Sequence, residues 1–206
     1  MRPLQFLRGL FCLNFTGPLR PKHCSSKPHL DILSHHPIDR FRGPGHHAFS
    51  RYDATVPDMP RVKRLVRAAR RAGHVRPKGK VPLWATEFWW ESDPPDHRYG
   101  FPVRKQARWV EEALYRFWKA GVAVALNLQL QDSAFEPSIS SYQTGIFFHD
   151  GRKKPAYTAF RFPFVSHRHS RHGVKIWGKS PATGKLNIER HKHGDWRPLK
   201  TLSART

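Results

Sequence analysis

A short apolar run, Val81 to Ala85, stops two residues short of a carboxylate, Glu87, and that carboxylate is bracketed by Trp84, Phe88, Trp89 and Trp90. Indole rings stack on the apolar C–H faces of sugars, and a carboxylate among them can attack or stabilise an anomeric carbon. Trp89 and Trp90 are therefore candidate sugar platforms and Glu87 the candidate reacting group. The plainer reading of Glu87 is a strand-end charge facing water, which is the commoner fate of a lone glutamate. His167, His169 and His172 invite a metal reading but lack the spacing and the carboxylate partners of a metal site, so no metal and no cofactor is expected.

The elements that must carry these residues follow from periodicity. Val81–Ala85 is short, apolar and closed off by the turn residues Ser92 to Asp96, which predicts a buried strand with Glu87 at or just past its carboxyl end. In barrels of alternating strands and helices, that end is where active sites are built. His29 to His36 reads as an earlier strand, stopped by Pro37. Asp58-Met59-Pro60 opens a helix with Val62, Leu65, Val66 and Ala69 on one face and Gly73 at its end. Val103 to Ala120 is a second helix, with Ala107, Val110, Ala113, Leu114, Phe117 and Trp118 as its apolar face and Gly121 as its stop. Val122 to Leu128 is apolar nearly throughout, which predicts a strand buried on both faces. Gln129, Gln131 and Asp132 lie at its polar exit, and a short helix is expected from about Lys154. Strand, helix, strand, helix, strand, helix is the order of a parallel α/β architecture. After Pro163 the pattern changes to a basic linker and short alternating segments, read as a small antiparallel β module.

The chain has 206 residues, 38% hydrophobic and 13% aromatic, enough for a real core in one or two domains. No apolar run is long enough for a transmembrane helix, so no membrane partner is expected. The N-terminal apolar run is broken by Arg8 and Gly9 and reads as folded sequence rather than as a signal peptide. Two cysteines, Cys12 and Cys24, do not make a zinc site; a disulfide and two free thiols both remain open. The net charge of +22 raises nucleic-acid binding as an alternative. The basic residues are scattered, however, and the two local runs, Arg61 to Arg76 and His167 to Lys175, are not interleaved with aromatics as single-strand binders require.

Asp31 to Val165 resembles the C-terminal half of a clan A glycoside hydrolase, a cellulase-like retaining glycosidase built on a TIM barrel. His36-Pro37 resembles the exit of barrel strand 6. Trp84-Ala85-Thr86-Glu87-Phe88 resembles strand 7 with its nucleophile. Ala120 to Asp132, followed by Gly145, Asp150-Gly151 and Lys154-Pro155-Ala156, is similar to strand 8 and the segment that leads into helix 8. The resemblance implies a partial (β/α)8 barrel over residues 29–165, after an irregular segment 1–28 and before a basic linker and incomplete β module at 166–206. It implies hydrolysis of O-glycosidic bonds in an oligo- or polysaccharide, with Glu87 as nucleophile and His36, Trp89, Trp90, Asn127 and Asp132 as substrate-binding residues. Asn127 stands where relatives often carry a Trp. Between His35 and His36, the His-Pro pair selects His36. The family is commonly secreted. Its general acid/base is a Glu after an Asn at the end of strand 4, whereas the first glutamate of this chain is Glu87. Glu91, Asp93 and Asp96 are too close in sequence to Glu87 to face it across a barrel. The resemblance therefore implies a chain truncated at its N-terminal side and lacking its proton donor. The alternatives are a basic nucleic-acid-binding protein and a non-catalytic remnant that still binds sugar.

Overall fold

The computed structural model describes residues 1–138 and 142–204. Helix α1 (Pro3–Leu10) is followed by strand β1 (Leu33–His35), helix α2 (Met59–Arg71) and strand β2 (Leu83–Phe88). Two short strands, β3 (Ser92–Asp93) and β4 (Phe101–Pro102), precede helix α3 (Val103–Ala120), strand β5 (Val124–Asn127) and helix α4 (Pro155–Arg161). Strands β6 (Phe164–Arg168), β7 (Val174–Gly178), β8 (Gly184–Lys192) and β9 (Asp195–Ala204) end the chain.

The centre is a three-stranded sheet in the order β1-β2-β5, with both pairings parallel. Helices α2 and α3 are the crossover connections that parallel neighbours require. Val62, Leu65, Val66 and Ala69 of α2 meet Val110, Ala113 and Phe117 of α3 in one core with Leu83, Ala85 and Phe88. Gly121 ends α3 in the left-handed conformation (φ 71°), which glycine adopts without steric cost. The strands are shorter or shifted relative to expectation. Glu87 lies inside β2 rather than beyond it, because pairing with β5 continues to Phe88. β5 is not buried on both faces: Leu126 is 46% exposed, since among the described residues no layer covers that side of the sheet.

The N-terminal segment is irregular only after its first helix, α1. α1 sends Leu4 and Leu7, with Phe11 and Leu13 behind it, into the main core. Cys12 and Cys24 are joined by a disulfide, and His74 holds the Phe11 carbonyl at 2.8 Å. Asp58 stands before α2 but points back rather than into it, accepting hydrogen bonds from the Ala48 and Thr55 N–H groups. Trp118, expected in the α3 face, is 58% exposed; Gln106 is buried in that face instead.

At the C-terminal side, β6 and β7 form one antiparallel hairpin and β8 and β9 another. His167 and Arg168, expected in a linker, belong to β6. His167 and Trp177 pack on Tyr115 of α3 at 4.9 and 5.3 Å between ring centres. Glu111 of α3 faces the same joint, with the Phe164 backbone beside its carboxylate. Burial pushes Glu111 up to about 7, and Arg108 and the Phe164 N–H only partly oppose that. The folded chain thus holds more protons than the unfolded chain between the ordinary glutamate pKa and about 7, so this group's contribution falls as pH rises through that window. Glu111→Gln keeps the shape without the charge. Thermal melts from pH 5 to pH 8 should give a flatter profile for this variant and a higher Tm than the parent at pH 8; equal slopes would show that Glu111 does not govern the joint.

Candidate active site

The two residues singled out most strongly from sequence meet at the carboxyl ends of β1 and β2. The register His35↔Ala85 sets the chain beyond β1 beside Thr86 and Glu87. His36 Nδ1 then lies 2.9 Å from Glu87 Oε2. Strand geometry decides that Glu87 is available for this contact. In a regular strand alternate side chains share a face, so Glu87 would follow Leu83 and Ala85 into the helix-covered core. Between Ala85 and Phe88 the pairing with β5 shifts, three steps on β2 against two on β5. Such a bulge re-aims side chains. Phe88 takes the core position, with its ring centre 5.1 Å from Phe117 and 6.4 Å from Trp90, and Glu87 is left with a quarter of its side chain exposed.

His35 turns the other way. Its Nε2–H donates to the Ala54 carbonyl at 2.8 Å, and burial lowers its pKa, although that hydrogen bond partly opposes the shift. Of the two histidines, His36 is the one beside Glu87. His36 also lines an open groove of about 780 Å³, which takes in Arg40, Phe41 and Phe49.

The two tryptophans part company. Trp89 is half-buried and carries the Arg40 guanidinium 5.5 Å from its ring centre. Arg40 also sits over Tyr99 and reaches Glu91 Oε1 at 3.6 Å. Trp90 is no platform. It is 1% exposed, its indole N–H donates to the Arg42 carbonyl at 2.9 Å, and Phe88 and Trp109 pack edge-on around it. A sugar ring has no face of Trp90 to stack on, so this residue belongs to the core.

Asp132 and Asn127 are likewise structural. Lys154 Nζ lies 2.7 Å from both Asp132 oxygens and donates to Ser92 Oγ at 2.8 Å and to the Gln143 carbonyl at 3.1 Å. Both charged side chains are essentially sealed from water. Burial pushes the Asp132 carboxyl up, and Lys154 and the Gly145 N–H only partly oppose it; burial likewise pulls the Lys154 ammonium down. Gly145 must be glycine: a Cβ there would fall 2.6 Å from the Asp132 nitrogen and 2.7 Å from the Gln131 carbonyl carbon. Asn127 Nδ2 donates to the Gln129 and Thr144 carbonyls, each at 3.0 Å. Asp132 therefore does not wall a sugar site, and Asn127 braces the loop after β5. Sequence reading missed Arg40 and Lys154. Nothing in the Pro37–Arg40 stretch marks Arg40. Lys154 had a signal only in its place before Pro155-Ala156.

No protein-family profile and no curated protein matches the chain. Among solved structures it is similar to a family 39 glycoside hydrolase from the gut symbiont Bacteroides cellulosilyticus WH2, with TM-score 0.51 and 14% identity over 84% of this chain and 42% of that one. It also matches a calcium-binding mutant of Bacteroides uniformis beta-glucuronidase 2, with TM-score 0.39 and 12% identity over 84% of this chain and 25% of that one. The first likeness shows a glycosidase-like fold. This chain spans less than half the length of either structure.

The Asp132–Lys154 pair makes the clearest stability prediction. Lys154→Met leaves a buried carboxylate without its counter-charge and should cost about 3–5 kcal/mol in denaturant unfolding. Adding Asp132→Asn, which still accepts from the Gly145 N–H, should restore most of that loss. Additive losses in the double variant would contradict a coupled pair.

Proposed function

We propose that this chain is the strand 6 to strand 8 part of a (β/α)8 glycosidase acting on O-glycosidic bonds by a retaining mechanism, with Glu87 as nucleophile. The observation that carries this is the 2.9 Å contact between His36 and Glu87 at the carboxyl ends of adjacent parallel strands, the position where such barrels do their chemistry. His36 holds Oε2 and leaves Oε1 to attack. Oε1 attacks the anomeric carbon, the bond to the leaving oxygen breaks, and a glycosyl ester forms on Glu87. Water then cleaves the ester and regenerates the carboxylate. Trp89 is the sugar platform in this reading, with the Arg40 guanidinium 5.5 Å from its ring centre as a cation–π neighbour.

The mechanism needs a second carboxyl about 5–5.5 Å away to protonate the leaving oxygen. The contact that Glu87 makes is with a histidine, His36, and no glutamate precedes Glu87 in the sequence. General acid assistance is worth roughly 10²–10⁴-fold. Substrates whose leaving group needs no proton are therefore the ones this chain should cleave.

A panel of 2,4-dinitrophenyl glycosides tests the proposal. Slow release of dinitrophenolate is expected from at least one sugar, with natural oligosaccharides slower by roughly the factor above. Glu87→Gln should abolish release, and a 2-deoxy-2-fluoro glycoside should label a peptide containing Glu87, as read by mass spectrometry. His36→Ala should slow release without removing the label. Release that persists in Glu87→Gln, or a label elsewhere, would sink the assignment.

A further inference from the structure

The β8–β9 hairpin carries a charge pattern that the Glu87 site does not use. Residues paired across an antiparallel ladder share a face. The register puts Leu186 with Leu202, Ile188 with Lys200, Arg190 with Arg197 and Lys192 with Asp195. One face of the ribbon is therefore aliphatic near its base and cationic towards its tip, with Arg190, Lys192, Arg197 and Lys200 side by side. All four are exposed, and none makes an ion pair among the described residues. Their only acidic companion on that face is Asp195. The opposite face carries Asn187 bonded to Thr201, and His191 against the two-thirds-exposed Trp196.

Arg190 and Arg197 face each other about 5 Å apart across the strands, and Lys192 and Lys200 extend the same face along the ribbon in steps of about 7 Å, which forms an array for a repeating anion. Three exposed cations elsewhere on this molecule, Arg2, Arg116 and Arg152, do take acidic partners, Asp53, Glu112 and Asp150, whereas the hairpin cations are distinguished by being set on one face by strand pairing. A linear polyanion is the chemistry that complements the array. Single-stranded nucleic acid fits it poorly, because such binders interleave aromatics with their cations, and here the aromatic residues of the ribbon lie on the other face. We propose that the Arg190, Lys192, Arg197 and Lys200 face binds an acidic polysaccharide through its sulfate or carboxylate groups. The choice of a carbohydrate polyanion rests on the reading of the Glu87 site.

The test measures fluorescein-labelled heparin, polygalacturonate, neutral dextran and a 20-base-pair DNA duplex against the full chain by anisotropy, at 50 and 200 mM salt. Heparin or polygalacturonate should bind and dextran should not. Replacing all four cations by Gln should weaken binding about tenfold or more and lower the slope of log Kd against log salt by roughly two to four, as expected when that many counterions are no longer released. A control variant with Arg64, Arg67, Arg71 and Lys78 replaced by Gln loses the same charge from other exposed positions and should bind nearly as the parent does. Lys192→Gln and Lys200→Gln singly should each weaken binding two- to threefold, which keeps the test readable if the fourfold variant does not fold. Equal losses in the control variant, tighter binding of the duplex than of either acidic glycan at equal salt, or no binding at 50 mM salt would each overturn the proposal. None of these outcomes bears on dinitrophenyl glycoside cleavage, so a failure here is distinct from a failure of the Glu87 assignment.

Discussion

From Ala85 to Phe88 strand β2 takes three steps while β5 takes two, and the direction of Glu87 follows from that count. The shift is anchored by burial. Phe88 is wholly enclosed against Phe117 and Trp90, and burying a phenylalanine is worth about 1.5–3 kcal/mol over leaving it exposed. A regular strand would send Glu87 into that apolar space and turn Phe88 outward, which loses the phenylalanine contacts and adds the cost of burying an unpaired carboxylate. Both terms favour the irregular strand. Glu87 consequently meets His36 on the open side of the sheet, and the aromatic layer of Phe88, Trp90, Trp109 and Phe101 lies behind it.

A second lock holds the loops that follow the strands. The buried Lys154 ammonium gathers Ser92 of β3, and Asp132 and the Gln143 carbonyl from the segment after β5. Gln106 of α3 adds a hydrogen bond to the Trp90 carbonyl at 2.8 Å. Desolvation works against both charges, and their mutual contact and the additional hydrogen bonds compensate for it. The arrangement sets the Trp89-Trp90 segment, in which Trp89 is half-buried and Trp90 enclosed. Stability and site geometry therefore depend on the same few polar contacts.

The uncovered side of the sheet is the other constraint. Leu126 of β5 is 46% exposed, and Leu130 in the segment beyond β5 is 68% exposed. The core lies between the sheet and α1, α2 and α3, and it recruits α1 with the disulfide-tied segment that follows it. The large positive charge does not disturb this core: the one lysine or arginine buried among the described residues, Lys154, is paired with Asp132. Charge of this kind acts on association rather than on fold.

Much of the layout was legible in the sequence because it is local. The apolar spacing of α3 and its glycine stop define that helix at both ends, since a helix is specified by residues three and four apart. The βαβαβ order and the antiparallel pairing of the C-terminal segments are also in keeping with the sequence reading. What the sequence could not settle depends on residues distant along the chain. A bulge exists only against a partner strand, so the extension of β2 to Phe88 and the direction of Glu87 were invisible. Trp89 and Trp90 are identical in type and adjacent, and only the packing of Trp109 and the Arg42 carbonyl makes one of them core. Asp132 looks like a polar strand exit until Lys154, 22 residues on, neutralises it. The amino-acid sequence by itself determined the elements and the chemical groups they carry. The tertiary structure alone decided which of those groups are sealed in ion pairs and aromatic packing and which are left free to meet another molecule, because burial belongs to contacts between distant segments.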